Sequence, residues 1–104
     1  MRAGIRRFLN DYPEIQIVGE ACSFPELIQM ISDLRPNVVL LDLRMPNPAD
    51  LPPENIRRAC QDCRIIAMSI YASEEWAILA NRFGAATFLD KATLVETLVP
   101  AIQG

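Results

Sequence analysis

Three polar side chains stand at the ends of otherwise apolar runs. Asp42 interrupts Val38-Val39-Leu40-Leu41-Asp42-Leu43, Ser69 closes Arg64-Ile65-Ile66-Ala67-Met68-Ser69, and Lys91 follows directly on Ala86-Thr87-Phe88-Leu89-Asp90. A carboxylate in such a run costs free energy unless it is paired or solvated, and Lys91 is the only lysine in the chain. Two chemistries fit the trio. One is a structural ion pair, with Ser69 as a satisfied hydroxyl. The other is an aspartate nucleophile that accepts a phosphoryl group, with Ser69 donating to one phosphate oxygen and Lys91 neutralising another.

Composition removes most other chemistries. There is no histidine, which excludes Ser-His-Asp and Cys-His nucleophile systems, HExxH zinc sites and phosphohistidine formation on this chain. A net charge of −3 argues against direct nucleic-acid binding by this chain, because such binding rests on neutralising phosphates. Three cysteines do not describe a disulfide framework, which agrees with a reducing compartment. With 51% hydrophobic and 22% charged residues in 104, the chain reads as a single globular domain over 1–104, with no membrane span and a cytoplasmic setting.

The elements that must position the trio alternate along the chain. Met1, Ile5, Phe8, Leu9 and Tyr12 form a helical stripe, without a capping residue before it and with Arg2, Arg6 and Arg7 near its positive end. Residues 15–21, β-branched and partly alternating, predict a strand. Ser23-Phe24-Pro25-Glu26 has capping-box spacing and opens a helix that ends at Arg35-Pro36. Residues 38–43 and 64–69 are continuous apolar runs suited to strands buried on both faces. Between them, residues 44–53 hold four prolines and predict a loop, followed by a short helix over residues 54–60. Ser73-Glu74-Glu75 opens the next helix and Gly84 closes it; residues 86–90 predict a short strand; Thr93 to Glu96 repeats the capping-box spacing before a last helix. Strict alternation with short connections predicts a parallel α/β sheet whose working edge is the C-terminal end of its strands, where Asp42, Ser69 and Lys91 converge.

These segments resemble the receiver domains of two-component response regulators, most closely those of LuxR/NarL-type transcription regulators. Asp42-Leu43-Arg44-Met45-Pro46 is similar to the phosphoacceptor segment, the strand ending at Ser69 to their strand ending in Ser or Thr, and Gly84 to Lys91 to their segment ending in lysine. The resemblance covers nearly the whole chain. It implies a flavodoxin-like, CheY-like fold with strand order 2-1-3-4-5 and helices on both faces. It also implies Asp42 as phosphoacceptor, Ser69 and Lys91 as phosphate-binding and switch residues, Phe88 at the switch aromatic position, a sensor histidine kinase as partner, and magnesium (Mg2+) as cofactor. Asp42 and the backbone carbonyl of Arg44 would be the metal ligands.

Departures from that pattern carry further expectations. The family's first strand ends in two acids that bind magnesium, and Met1 to Leu9 matches the interior of the family's first helix, so four strands are expected here and the first strand is expected upstream. With Asp42 as the remaining acid, metal binding and phosphotransfer are expected to be impaired; Glu20 and Asp50 are weak substitutes. Residues 15–21 and 38–43, deprived of a shared neighbour, are expected to pair directly or to find a strand in another molecule, giving a homodimer or swapped oligomer. The loop after Met45-Pro46 lacks the family's Asp-Gly. The alternative function is a phosphorylation-independent pseudo-receiver acting as an interaction or dimerisation module. An enzymatic alternative, thiol redox chemistry at Cys60-Gln61-Asp62-Cys63, is weakened because the pair follows a helix instead of opening one. The family reading is a signalling domain and not an enzyme.

Overall fold

The computed structural model describes residues 2–70 and 73–104. The chain runs α1 (Arg2–Leu9), α2 (Phe24–Leu34), β1 (Val38–Asp42), α3 (Pro53–Ala59), β2 (Arg64–Ser69), α4 (Glu74–Arg82), β3 (Ala85–Asp90), a 3-10 turn (Lys91–Thr93) and α5 (Leu94–Gln103). The described strands form a parallel sheet in the order β1-β2-β3. Its odd-numbered residues on β1 and β2, including Val39, Leu41, Ile65 and Ala67, pack against α2, α3 and α4. The even-numbered residues, including Leu40, Ile66 and Met68, face α1 and α5. This two-sided burial is why both strands read as unbroken apolar runs. Leu41, Ile56 and Ile66 have no exposed surface, and each such side chain contributes about 1.5–3 kcal/mol of burial.

Local signals fix most helix ends. Ser23 caps α2 by accepting from the Glu26 N–H at 3.4 Å, and Ser73 caps α4 through the Trp76 N–H at 3.5 Å. The helix α2 stops where Arg35 turns left-handed (φ 47°), directly before Pro36. Gly84 leaves α4 at φ +80°, the conformation that a residue without a Cβ adopts at no steric cost. In the proline-rich loop, Asn47 accepts from the Leu51 N–H and donates to the Leu51 carbonyl, and Asp50 takes the left-handed conformation (φ 55°) in a segment without glycine.

Three expectations are corrected. The first helix ends at Leu9, short of Tyr12; Arg6 and Arg7 therefore fall in its last turn, where positive charge favours the helix dipole. Met1 lies outside the described residues. Residues 15–21 form no strand, so three described strands stand where four were expected; β-branched residues make a strand only when a neighbour supplies the ladder, and the described ladder of β1 is with β2. Thr93 makes no side-chain cap on α5. Asp90 instead accepts from the Ala92 N–H at 2.9 Å and caps the intervening 3-10 turn. Pro100 sits inside α5 on its exposed side, and the helix continues past it to Gln103, its final carbonyls received by Arg64, whose Nη2 donates to Ala101 at 2.9 Å and to Ile102.

Candidate functional site

The parallel sheet brings the C-terminal ends of β1, β2 and β3 side by side, with Asp42 in register with Met68 and Ser69 with Asp90. Asp42 and Ser69 are the last residues of their strands, and Lys91 is the first residue beyond its own. Each reaches the edge for a local reason. The Met45 N–H donates to the Asp42 carbonyl at 3.0 Å, turning the chain immediately after β1. At β3, the Asp90 cap and the Thr93 hydroxyl, which donates to the Asp90 carbonyl at 3.2 Å, bend the backbone so that Lys91 leaves the strand axis. Lys91 then crosses the end of β2, and its Nζ donates to Asp42 Oδ2 at 2.5 Å. The other carboxylate oxygen, Oδ1, accepts from the Arg44 N–H at 2.9 Å.

The lysine side chain is 7% exposed and the aspartate 30%. A charge-assisted hydrogen bond in that setting is stronger than a surface ion pair, and it leaves one face of the carboxylate open to water. Ser69 is fully buried on the middle strand between the two. Phe88 lies two residues before Asp90 on β3, opposite Ala67, half-buried against the core formed with α2 to α4. The fold thus joins Asp42 to Lys91, sets Ser69 on the strand between them, and keeps Phe88 in the packing behind the edge. Sequence reasoning did not single out Asp90 as the residue that sets the Lys91 turn. Its signal was present in the spacing of Asp90, Ala92 and Thr93, a side-chain acceptor two residues before a free N–H.

The donor set does not fit a resident magnesium ion. That ion demands a near-octahedral shell of oxygens, and among the described residues there is no group of three or more His, Cys, Asp or Glu side chains placed to hold a metal. Glu20 is drawn away into an ion pair with Arg6 at 3.4 Å, and Asp50 belongs to the turn closed by Asn47. Arg44 meets the carboxylate through its N–H.

Cys60 and Cys63 lie at the opposite end of the sheet. Cys60 is the C-terminal cap residue of α3 and is buried, and burial followed by the hydrogen bond with Cys63 pushes its thiol well above the ordinary range. A redox cysteine needs the reverse, a stabilised thiolate at a helix N-terminus.

Comparison with known proteins gives one answer. The family model of the response regulator receiver domain matches residues 1–103. The chain is 34% identical over 106 residues to the uncharacterized transcriptional regulatory protein YhcZ of Bacillus subtilis, covering 99% of this chain and 49% of that protein. It is 32% identical over 104 residues to the response regulator UvrY of Escherichia coli, covering 99% and 48%. The chain therefore spans about half the length of the curated relatives it matches. Among solved structures it is similar to a LuxR-family two-component response regulator from Aurantimonas, with a TM-score of 0.83 and 28% identity over 98% of this chain and 74% of that one. It is similar also to the receiver domain of the putative regulator NarL from Mycobacterium tuberculosis, with a TM-score of 0.78 and 25% identity over 99% and 87%.

Proposed function

The chain belongs to the response regulator receiver domain family, and from that premise we propose that residues 1–104 act as one receiver domain in which Asp42 accepts a phosphoryl group from the phosphohistidine of a sensor kinase. The observation that carries this reading is the contact of Lys91 Nζ with Asp42 Oδ2 at 2.5 Å at the open edge of the sheet. An oxygen of the carboxylate forms the new O–P bond as the P–N bond to the donor imidazole breaks, and the imidazole leaves with a proton from solvent. Lys91 offsets the negative charge brought in by the phosphoryl oxygens. Ser69 supplies a hydroxyl donor to one of those oxygens once it leaves its buried position, and Phe88 moves with it as the switch aromatic.

Receiver domains generally take magnesium at this edge, and among the described residues the donors are too few to hold it, so transfer is expected to be impaired. Among the described residues no helix is long and apolar enough to cross a membrane. A second reading, the phosphorylation-independent pseudo-receiver, is favoured by the same shortage of metal ligands.

The test is phosphorylation by acetyl phosphate across a magnesium titration, followed by intact-mass spectrometry and Trp76 fluorescence. One phosphoryl group is expected on the wild-type chain and none on Asp42→Asn. Absence of both mass shift and fluorescence change at millimolar magnesium, in a chain whose circular dichroism is that of the folded protein, selects the pseudo-receiver.

A further inference from the structure

Cys60 and Cys63 form a second chemical constellation, at the N-terminal edge of the sheet and away from Asp42. Cys60 is the C-terminal cap residue of α3, and Cys63 directly precedes β2. The Cys63 N–H donates to the Cys60 carbonyl at 3.3 Å, a turn that folds its fourth residue back over its first and brings the two thiols into hydrogen-bond contact. Both ends of the turn are anchored: the Cys60 N–H donates to the Ile56 carbonyl at 3.0 Å, and the Arg64 N–H to the Asn37 carbonyl at 2.9 Å. Cys60 is buried in the core under α2 to α4, and Cys63 packs half-buried against it. The two sulfurs are therefore held as a pair by the fold.

Their surroundings are cationic. Cys60 lines an open pocket of about 520 Å³ together with Arg57, Arg58 and Gln61. The stem of Arg57 lies against Gly84, where a Cβ would stand 2.8 Å from its Cγ, so the absence of a side chain there lets this arginine lie across the pocket. Glu54, which also lines the pocket, pairs with Arg82 at 3.1 Å.

We propose that Cys60 and Cys63 form a two-sulfur site for a soft monovalent cation, copper(I), bound across the turn at the end of α3. Thiolate sulfur is the donor that selects this ion, and two such donors suffice for it. Two S–Cu bonds form as the two S–H bonds break, both protons leave to solvent, and no electron is transferred. The product carries one negative charge, which Arg57 and Arg58 offset. Cys63 is the more exposed sulfur; it meets the ion first and has room to move apart from Cys60 as the ion enters between them. Once bound, the ion ties the end of α3 to the start of β2.

Zinc is a poorer occupant. Its structural sites take four protein ligands, and among the described residues no group of three or more His, Cys, Asp or Glu side chains is placed to hold a metal. Cys22 belongs to the other edge of the sheet: it stands just before α2, whose Phe24 N–H donates to the Pro46 carbonyl in the loop after β1.

The test is anaerobic titration of the full, reduced chain with copper(I) against a chromogenic copper(I) chelator, with the sulfur-to-copper charge-transfer band followed in the ultraviolet and amide NMR locating the ion. One copper(I) per chain is expected, with shifts gathered in the turn from Cys60 to Cys63 and its flanks, and with Asp42 and Lys91 unmoved. Cys22→Ser is expected to bind as wild type, and Cys63→Ser to lose roughly a hundredfold or more in affinity while keeping its circular dichroism. The NMR map of the wild-type chain decides independently of any variant. Shifts that gather at Cys22, unchanged affinity in Cys63→Ser, or zinc held as tightly as copper(I) overturns the proposal.

Discussion

The Nζ of Lys91 and the Oδ2 of Asp42, 2.5 Å apart, join the first strand of the sheet to the turn after the last, and the lysine is the more buried of the two, at 7% against 30% exposure. Removing either partner therefore has unequal consequences. Asp42→Ala strands an ammonium that water barely reaches. Lys91→Met leaves a carboxylate that keeps the Arg44 N–H and part of its hydration. Asp42→Ala is expected to cost about 1–3 kcal/mol in urea denaturation and Lys91→Met less. The double variant is expected to lose less than the sum of the two. Equal and additive losses would mean that the contact behaves as an ordinary surface pair.

Gly84 makes the exit from α4 at φ +80°, with the side chain of Arg57 across from it. An alanine there carries the left-handed strain of any L-residue and sets its Cβ 2.8 Å from Arg57 Cγ, a flexible group that can move aside. The strain remains after Arg57 shifts, so Gly84→Ala is expected to destabilise by about 1–2 kcal/mol. Thermal unfolding checks this, and Arg57→Ala combined with Gly84→Ala is expected to recover little.

Glu54 opens α3 and meets Arg82 of α4 at 3.1 Å. A hydrogen bond from its own backbone N–H, then the Arg82 side chain, holds its carboxyl below the ordinary value of 4.5. A carboxyl depressed in the folded state contributes stability at pH above its unfolded pKa, and that contribution disappears as pH falls through the folded value. Glu54→Gln is therefore expected to lower the urea midpoint at pH 6 and to converge with wild type as pH falls through the folded value of the carboxyl. A gap that stays constant over that range would assign the loss to packing.

Much of this fold was legible in short-range patterns, because the physics that sets them is local. Ser23 and Ser73 cap the helices their spacing announced, and the runs at residues 38–43 and 64–69 became the two strands covered on both faces. Segment 15–21 failed for a non-local reason: its β-branched residues match those of a strand, but a strand also needs a neighbour, and a pattern of side chains carries no record of one. At the site, the residue types named Asp42, Ser69 and Lys91, whereas the Arg44 N–H and the Asp90 cap depend on how the backbone turns after each strand.

Thiol reactivity separates Cys60 from its neighbours. Cys22 is exposed and Cys63 partly so, while Cys60 is buried and its thiol is raised chiefly by that burial. With a disulfide reagent at pH 8, Cys22 and Cys63 are expected to react first and Cys60 only on unfolding. The unfolded thiol ionises near 9.0 and the buried one does not, so stability is expected to fall as pH rises past that value. Cys60→Ala should flatten this alkaline limb. Rapid labelling of Cys60 in the native chain would contradict the burial.

Asp90 is a positioning residue for Lys91. Its Oδ1 accepts from the Ala92 N–H at 2.9 Å and its carbonyl from the Thr93 hydroxyl at 3.2 Å, and these two bonds fix the turn from which Lys91 reaches back to Asp42. Asp90→Ala deletes the first, at a cost of about 1 kcal/mol typical of a lost cap, and frees the backbone that carries the lysine. Asp90→Asn keeps an acceptor oxygen in place. The expected result is that Asp90→Ala lowers the acetyl phosphate reaction rate of Asp42 well beyond what its folded fraction accounts for, while Asp90→Asn restores most of it. Equal rates for both variants, after correction for folded fraction, would reduce Asp90 to a structural cap with no hold on the lysine.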